Sequence, residues 1–188
     1  MQLETAVTQA TRYEDFRMEV IDAALSEIIS GGQTGADRAA LDWAIGRGVE
    51  HGGWSPKGRK AEDGMIDPRY NLTETPSEDY SQRTEWNVRD SDGTAVFSVR
   101  RELRGGSLLT VEIAGQYNKP IIHLCAQDER INHAQELRSF IEEFEISILN
   151  VAGPRESDEP GVYNFVSRVL DQALGGAPHS LIAPTRRG

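Results

Sequence analysis

The chain has 188 residues, of which 38% are hydrophobic and 27% charged, a composition typical of a soluble globular protein with a sizeable core. Its formal net charge of −10 argues against a general nucleic-acid-binding protein, which would carry a basic face. The single cysteine, Cys125, excludes an intramolecular disulfide framework, and no apolar run approaches the roughly 20 residues of a membrane span. We therefore expect a cytoplasmic protein that binds neither nucleic acid nor membrane, and the sequence leaves a homo-oligomer open.

Five short apolar segments bounded by turn residues predict β-strands. They are residues 27–30, 49–54, 94–99, 120–125 and 146–152. Apolar residues at helical spacing follow the first, fourth and fifth segments, and weaker helical patterns cover residues 82–90 and 107–118. Strands that alternate with helices require crossover connections. The sequence therefore predicts an α/β fold, an open, mainly parallel, Rossmann-like sheet of five or more strands with helices on both faces.

The predicted strands and helices all fall within residues 26–175, which we interpret as a single ligand-binding domain. We expect residues 1–25 to be a peripheral N-terminal extension and residues 176–188 a disordered tail. Within the domain, the polar connection over residues 55–80 is much longer than usual. Loops of this length inside compact domains are usually functional or disordered, and its dense charge favours a function.

The segment GGQTGADR, residues 31–38, joins the first predicted strand to a helix. Its glycines let backbone N–H groups approach a ligand, and a helix N-terminus attracts anions. We therefore predict a phosphate site formed by Gly31, Gly32, Gln33, Thr34, Gly35 and Asp37. The alternative is that Thr34 and Asp37 only cap the helix. The segment lacks the Lys-Ser/Thr pair of a nucleoside-triphosphate loop and the GxGxxG spacing of a dinucleotide site, which argues against an ATPase and an NAD enzyme.

Basic residues concentrate in the loops that follow the predicted strands, despite the acidic total. They are Lys57, Arg59, Lys60, Arg100, Arg101, Arg104 and Arg155. Ligands of open parallel sheets bind beyond the carboxyl ends of the strands, so this set predicts an anionic small-molecule ligand. In the long loop, we predict that Lys57, Gly58, Arg59 and Lys60 recognise the ligand. The alternatives are that Glu62 and Asp63 instead orient the basic side chains, that the loop is mobile, or that these are ordinary solvated charges. The histidines and the cysteine lack the spacing of zinc ligands.

Five blocks of sequence carry a resemblance to a known family. In chain order they are GGQTGADRAALDWA (31–44), GWSPKGRKAEDG (53–64), TPSEDYSQRTEWNVRDSDGT (75–94), RGGSLLT (104–110) and LNVAGPRESDEPGVY (149–163). Together they resemble the molybdenum carrier family over residues 27–174. That family is similar to a wider Rossmann-like group that includes molybdenum-cofactor carriers and cytokinin-activating phosphoribohydrolases. The resemblance implies a nucleotide-like ligand at glycine turns that follow the strands.

The hydrolases of that group carry a PGGxGTxxE signature, to which RGGSLLTVE, residues 104–112, corresponds only in part. Gly105, Gly106 and Glu112 match, whereas Arg104 replaces the proline and two leucines replace the Gly-Thr pair. The lost Gly-Thr pair would have brought a backbone N–H and a hydroxyl to a phosphate, so the departure argues against hydrolysis. The turn itself is retained as a predicted binding site, formed by Arg104, Gly105, Gly106 and Ser107.

The resemblance implies a carrier of the molybdenum cofactor, or of a related anionic pterin or nucleotide. The sequence establishes no resident cofactor, and we predict no metal ligands. The alternative is a nucleotide-processing hydrolase that cleaves an N-glycosidic bond, with Glu112 as the catalytic carboxylate. In that case Arg83 and Arg89 are expected to clamp the phosphate. A third interpretation is a nucleotide-sensing module without catalysis. The degraded signature favours the carrier.

Overall fold

A computed structural model describes residues 25–175 of the chain. Residues 1–24 of the predicted N-terminal extension and the whole predicted tail, residues 176–188, lie outside the described residues. In chain order, the described strands are β1 (Glu27–Ile29), β2 (Glu50–Gly52), β3 (Trp54–Ser55), β4 (Lys60–Ala61), β5 (Gly64–Met65), β6 (Thr73–Glu74), β7 (Gly93–Ser98), β8 (Ile121–Cys125) and β9 (Ile148–Ala152). The described helices are α1 (Ala36–Arg47), α2 (Tyr80–Arg89), α3 (Gly105–Gln116), α4 (His133–Glu143) and α5 (Val162–Leu174).

The central sheet has five parallel strands in the order β2-β1-β9-β7-β8. The last strand of the chain therefore lies at its centre, with Ile28 opposite Leu149 on one side and Ala95 opposite Val151 on the other. These four side chains are fully buried, as expected for strands covered on both faces. If β9 is counted first, the order reads 3-2-1-4-5. The first five strands of a Rossmann sheet have this order, so the predicted α/β fold is confirmed.

Helices cover the sheet in two groups. Helices α1, α4 and α5 pack together, and their apolar faces join β1, β7 and β9 in the main core, which includes Phe97, Leu137 and Phe165. Helices α2 and α3 pack against each other through a separate cluster of Val88, Ile113 and Ala114. Within residues 25–175, every helix is too short or too polar to cross a lipid bilayer.

The predicted strand at residues 49–54 is wrong in its extent, because the chain leaves the sheet at Gly53. Strand β2 ends at Gly52, and β3 begins at Trp54 and pairs with β6 in a separate two-stranded sheet. Gly53 has a φ of 121°, and a Cβ atom there would lie 2.3 Å from the carbonyl oxygen of Ser30. The turn therefore requires glycine, and Asn87 holds it by accepting a hydrogen bond from the Trp54 N–H (2.8 Å).

Residues 56–78, which we call the strap, are folded. The strap contains β4, β5 and β6, and it buries Ile66, Tyr70 and Leu72 in a small cluster with Leu41 of α1. Helix α2 follows the strap directly, and its N-cap residue Asp79 accepts a hydrogen bond from the Ser81 N–H. The weak helical pattern at residues 82–90 is thus a real helix, which begins two residues earlier than predicted.

Candidate functional site

The candidate site is a cavity of about 550 Å³ where the β7–α3 and β9–α5 loops separate. Strand β9 continues into α5 on one face of the sheet, and its neighbour β7 continues towards α3, which packs with α2. Such a topological switch point leaves a crevice beyond the carboxyl ends of the strands. The start of α2 and one residue of the β1–α1 turn close the cavity from the side.

Seven of the predicted site residues line this cavity. They are Gln33, Arg83, Arg104, Gly105, Gly106, Ser107 and Arg155. Helix α3 begins here without a side-chain cap, because its N-cap residue Arg104 accepts no capping bond through its side chain. Uncapped N–H groups and the helix dipole favour a negatively charged ligand at this end. Gly105 and Gly106 leave open space where a Cβ atom would project, so the backbone at the helix start is accessible.

The β1–α1 turn contributes only Gln33 to the cavity lining. A Cβ atom at Gly32 would lie 2.5 Å from Leu72 of the strap, and one at Gly35 would lie 2.6 Å from the carbonyl oxygen of Pro154. Both glycines therefore allow close packing of neighbouring segments. The first N–H of α1, that of Ala36, already donates to the Pro154 carbonyl (3.3 Å). Phosphate binding by these glycines stays a prediction. In the structure, their lack of a side chain is explained by the close packing of neighbouring segments.

The capping role considered for Thr34 and Asp37 is absent from α1. The N-cap residue is Gly35, and no side chain caps the helix there. The Thr34 hydroxyl donates to the Glu62 carboxylate of the strap, and Asp37 is turned inward. The two residues therefore connect the turn to other segments of the protein.

A buried ion pair lies beneath the β1–α1 turn. The Asp37 carboxylate is 2% exposed, and its Oδ2 atom accepts hydrogen bonds from Arg83 Nη1 (3.1 Å) and from the Gln33 N–H (3.2 Å). Burial raises the pKa of Asp37, and the positive charge of Arg83 opposes that rise. The guanidinium occupies the space above Gly31, where a Cβ atom would lie 1.8 Å from Arg83 Nη1. Gly31 therefore leaves the space that the guanidinium occupies in this pair.

Two buried donors of the cavity wall have no partner. Among the described residues, Gln33 Nε2 and Arg83 Nε are buried nitrogen atoms without a hydrogen bond. Most buried polar side-chain atoms in proteins are hydrogen-bonded, so each exception calls for an explanation. Both residues line the cavity, where a ligand atom or an ordered water molecule would satisfy them.

The predicted recognition residues of the strap lie outside the cavity lining. Arg59 donates to four backbone carbonyls, those of Ile66, Asp67, Tyr70 and Leu72, at 2.9 to 3.1 Å. Lys60 pairs with Glu78 at 2.6 Å, and Lys57 and Gly58 are exposed. Arg59 thus holds the strap in shape. No signal in the sequence separates such an arginine from one that binds a ligand.

Glu62 and Asp63 attach the strap to the rest of the domain. Glu62 accepts hydrogen bonds from the hydroxyls of Thr34 and Ser157, and these bonds hold its pKa below the usual value. Asp63 forms a bidentate ion pair with Arg38 of α1, which lowers the pKa of Asp63. In these contacts neither carboxylate bonds to a basic side chain of the strap, which the alternative role considered for them would require. Their partners lie on the β1–α1 turn, on the β9–α5 loop and on α1.

The predicted catalytic carboxylate, Glu112, is exposed on α3 and is not part of the cavity lining. The carboxylates that do line the cavity are Asp79, Asp158 and Glu159. Glu159 accepts hydrogen bonds from the N–H groups of Val99 and Arg100 (2.9 Å for Arg100), which ties the β9–α5 loop to the end of β7. Sequence reasoning missed Glu159, although its place after a predicted strand was a usable signal.

Tyr80 is a second site residue that sequence reasoning missed. Two cavity arginines lie over its ring, with the guanidinium carbons of Arg83 and Arg155 at 5.9 and 5.6 Å from the ring centroid. Such contacts stabilise a cation over an aromatic face and hold its position. Within residues 25–175, no group of three His, Cys, Asp or Glu side chains is placed to hold a metal ion.

The chain is similar to known proteins over most of its described length. The circularly permutated YpsA SLOG family matches residues 28–174. A crystal structure of a "putative molybdenum carrier protein" from Syntrophus aciditrophicus SB shares 47% sequence identity with the chain, with a TM-score of 0.77, and the match covers 80% of this chain and 96% of that one. No curated protein matches the chain. The resemblance predicted from the five sequence blocks is confirmed.

Proposed function

Because the chain belongs to the circularly permutated YpsA SLOG family, we propose that it binds and carries an anionic small molecule of the pterin or nucleotide type. The ligand is held in the cavity between the β7–α3 and β9–α5 loops. The observation that carries the proposal is the convergence on this cavity of unpaired buried donors, an uncapped helix N-terminus and several arginines. These groups are donors or cations, and they suit a ligand that accepts hydrogen bonds and carries negative charge.

The size and place of the cavity support this proposal. Its volume of about 550 Å³ lies within the range of roughly 300–1,000 Å³ that small-molecule sites occupy. Its position at the switch point of a parallel sheet is the position at which such sheets bind their ligands. The exposed Arg100 and Arg104 and the half-buried Arg155 line the cavity, and their positive charge attracts an anion to an otherwise acidic protein.

The related structure is named a putative molybdenum carrier protein, and we propose the molybdenum cofactor as a cargo of this chain. It is a phosphorylated pterin, and its phosphate and ring edge require hydrogen-bond donors of the kind that line this cavity. Gln33, Arg83 and the start of α3 would supply them. The metal belongs to the cargo, and the part played by the chain is to bind and shield the organic portion.

Binding without turnover is favoured over glycosidic hydrolysis. A hydrolase needs a carboxylate beside the bond that breaks, and Glu112 is exposed outside the cavity lining. Of the cavity carboxylates, Glu159 is held by two backbone N–H groups. These bonds tie Glu159 to the end of β7, which suits a structural role.

The proposal is tested by native mass spectrometry of the freshly purified protein, followed by calorimetric titration with AMP. We expect a copurifying pterin or nucleotide, or measurable AMP binding, that Arg155→Ala weakens by about tenfold through the loss of one charged contact. The matched control is Arg168→Ala, since Arg168 is exposed on α5 outside the cavity lining. A protein that neither copurifies with a ligand nor binds AMP would overturn the proposal. Release of adenine during the titration would identify a hydrolase.

A further inference from the structure

Gln33 and Arg83 both line the cavity, and each has a buried N–H donor without a partner. Gln33 is 5% exposed and the Arg83 side chain 15% exposed, so neither residue is an ordinary surface group. A buried N–H group without a partner destabilises the unliganded protein, and a ligand with a suitable acceptor removes that cost on binding. The pair is therefore a specific feature within the cavity proposed above, distinct from Arg100, Arg104 and Arg155.

The orientation of the Gln33 amide is fixed by its surroundings. Its Oε1 atom accepts hydrogen bonds from the N–H groups of Thr34 and Glu62, both at 3.0 Å. A flipped amide would place its NH₂ group against two donors, so the oxygen must occupy that side. Nε2 is left as a donor only. The Gln33 side chain thus offers a ligand N–H groups and no acceptor.

The Asp37 carboxylate brings the two residues together. Its Oδ2 atom accepts from both the Gln33 backbone N–H and Arg83 Nη1, so the residues are neighbours around one oxygen atom. Arg83 uses Nη1 for this bond and keeps Nε unpaired. Gly31 leaves the space in which the guanidinium lies. Asp37 therefore positions both residues, and Gln33 Nε2 and Arg83 Nε are the donors left over in the cavity wall.

We propose that Gln33 and Arg83 form a phosphate-reading pair that distinguishes a phosphorylated ligand from its unphosphorylated parent. This inference rests on the proposed function and assigns the pair its role in specificity. Phosphate oxygens are acceptors only, so they satisfy Nε2–H and Nε–H without presenting a competing donor. A fixed guanidinium beside a neutral amide donor also supplies the positive charge that a phosphate favours.

The test compares AMP with adenosine by calorimetry in the full-length protein. The variants are Gln33→Met, which removes the donor without adding charge, Arg83→Lys, which keeps the charge and removes Nε–H, and the two combined. We expect each single change to weaken AMP binding about 10- to 100-fold, as for a lost hydrogen bond to a charged group, and to leave adenosine binding within about twofold. The combined variant should lose less AMP affinity than the product of the two single fold-changes, because in the proposal both residues contact one phosphate.

Arg168→Ala serves as the control for charge removal, and circular dichroism establishes that each variant is folded. Gln33→Glu is a second replacement that keeps the Oε1 acceptor of the Thr34 and Glu62 bonds if Gln33→Met unfolds. An unchanged ratio of AMP to adenosine affinity in folded variants, or an equal loss for both ligands, would overturn the pair's role while the proposed function stands. Failure of the unaltered protein to bind AMP or adenosine would instead refute the nucleotide-type ligand and the pair together.

Discussion

At the scale of single residues, the glycines of the β1–α1 turn illustrate how one pattern allows two physical explanations. The sequence predicts that Gly31, Gly32 and Gly35 expose backbone to a ligand. In the structure each occupies a crowded position, against Arg83, Leu72 and Pro154 respectively. Glycine permits close approach by any atom, and a sequence does not reveal whether that atom belongs to a ligand or to the protein itself.

Gly31→Ala is expected to destabilise the fold by separating the buried ion pair. The added methyl group would lie 1.8 Å from Arg83 Nη1 and 2.8 Å from Asp37 Oδ2, so the guanidinium must move. Breaking a buried pair and leaving one charge unpaired costs about 3 kcal/mol. Urea unfolding followed by circular dichroism measures the change in the free energy of unfolding.

The matched control for this prediction is Gly46→Ala. Gly46 lies in the last turn of α1, and a Cβ atom there would have no neighbour within 4 Å. Alanine is favoured over glycine inside a helix, so this change should stabilise the protein by about 0.5 kcal/mol. Equal stability of the Gly31→Ala variant and the unaltered protein would show that Arg83 moves away from Asp37 at no cost.

At the scale of elements, hydrophobic periodicity predicted the central sheet strands and all five described helices at approximately correct positions. These elements depend on local spacing, which a sequence displays directly. The strap was predicted only as a long functional or disordered connection. Its fold depends on Arg59, one charged side chain bonded to four carbonyls that are 7 to 13 residues away in sequence. No periodic pattern encodes such an arrangement.

Arg59→Lys is expected to loosen the strap while the central sheet stays intact. A lysine ammonium is a compact charge that cannot reproduce the planar fork of a guanidinium, so most of the four carbonyl bonds are lost. We expect the free energy of strap opening to fall by roughly 2 kcal/mol, which makes amide exchange over residues 56–78 about 30-fold faster. Hydrogen–deuterium exchange with mass spectrometry resolves the strap from the strands.

Lys57→Arg, at an exposed position of the same strap, is the control and should leave the exchange rates unchanged. Acceleration confined to the strap in Arg59→Lys supports the interpretation of Arg59 as a structural residue. Unaltered exchange there would indicate that the strap is held by Ile66, Tyr70 and Leu72 alone. In that case Arg59 would again be available as a ligand-binding residue.

At the scale of the whole molecule, the order of the strands could not be predicted from the sequence. Alternation of strands and helices gives the fold class, but any of several sheet orders satisfies the rule of right-handed crossovers. The observed order places β9, the last strand, at the centre between β1 and β7. The cavity therefore joins loops that lie more than 50 residues apart, which explains why Glu159 was missed as a neighbour of Arg100.

The same topology makes a prediction about connectivity. Both chain ends of the described domain lie near the amino ends of the sheet strands, opposite the cavity. Ser26, before β1, bonds to Ser147, which precedes β9, and the carbonyl of Gly175, after α5, accepts from Arg47 at the end of α1. We expect a rearranged chain that starts at Glu145, joins residue 175 to residue 25 through a flexible Gly/Ser linker and ends at Phe144 to fold. Its sheet would then have the strand order 3-2-1-4-5 in its own numbering, because the contacts of the core do not depend on where the chain is cut.

The control is the chain 25–175 in its natural order, and both chains are compared by circular dichroism, thermal unfolding and titration with AMP. Cooperative unfolding of both chains with AMP affinities within about threefold would be consistent with a cavity formed by packing of the loops alone, the limit being about 0.7 kcal/mol. A rearranged chain that folds but binds AMP more weakly than the natural-order chain would instead show that the α4–β9 connection, which the cut interrupts, contributes to the geometry of the site.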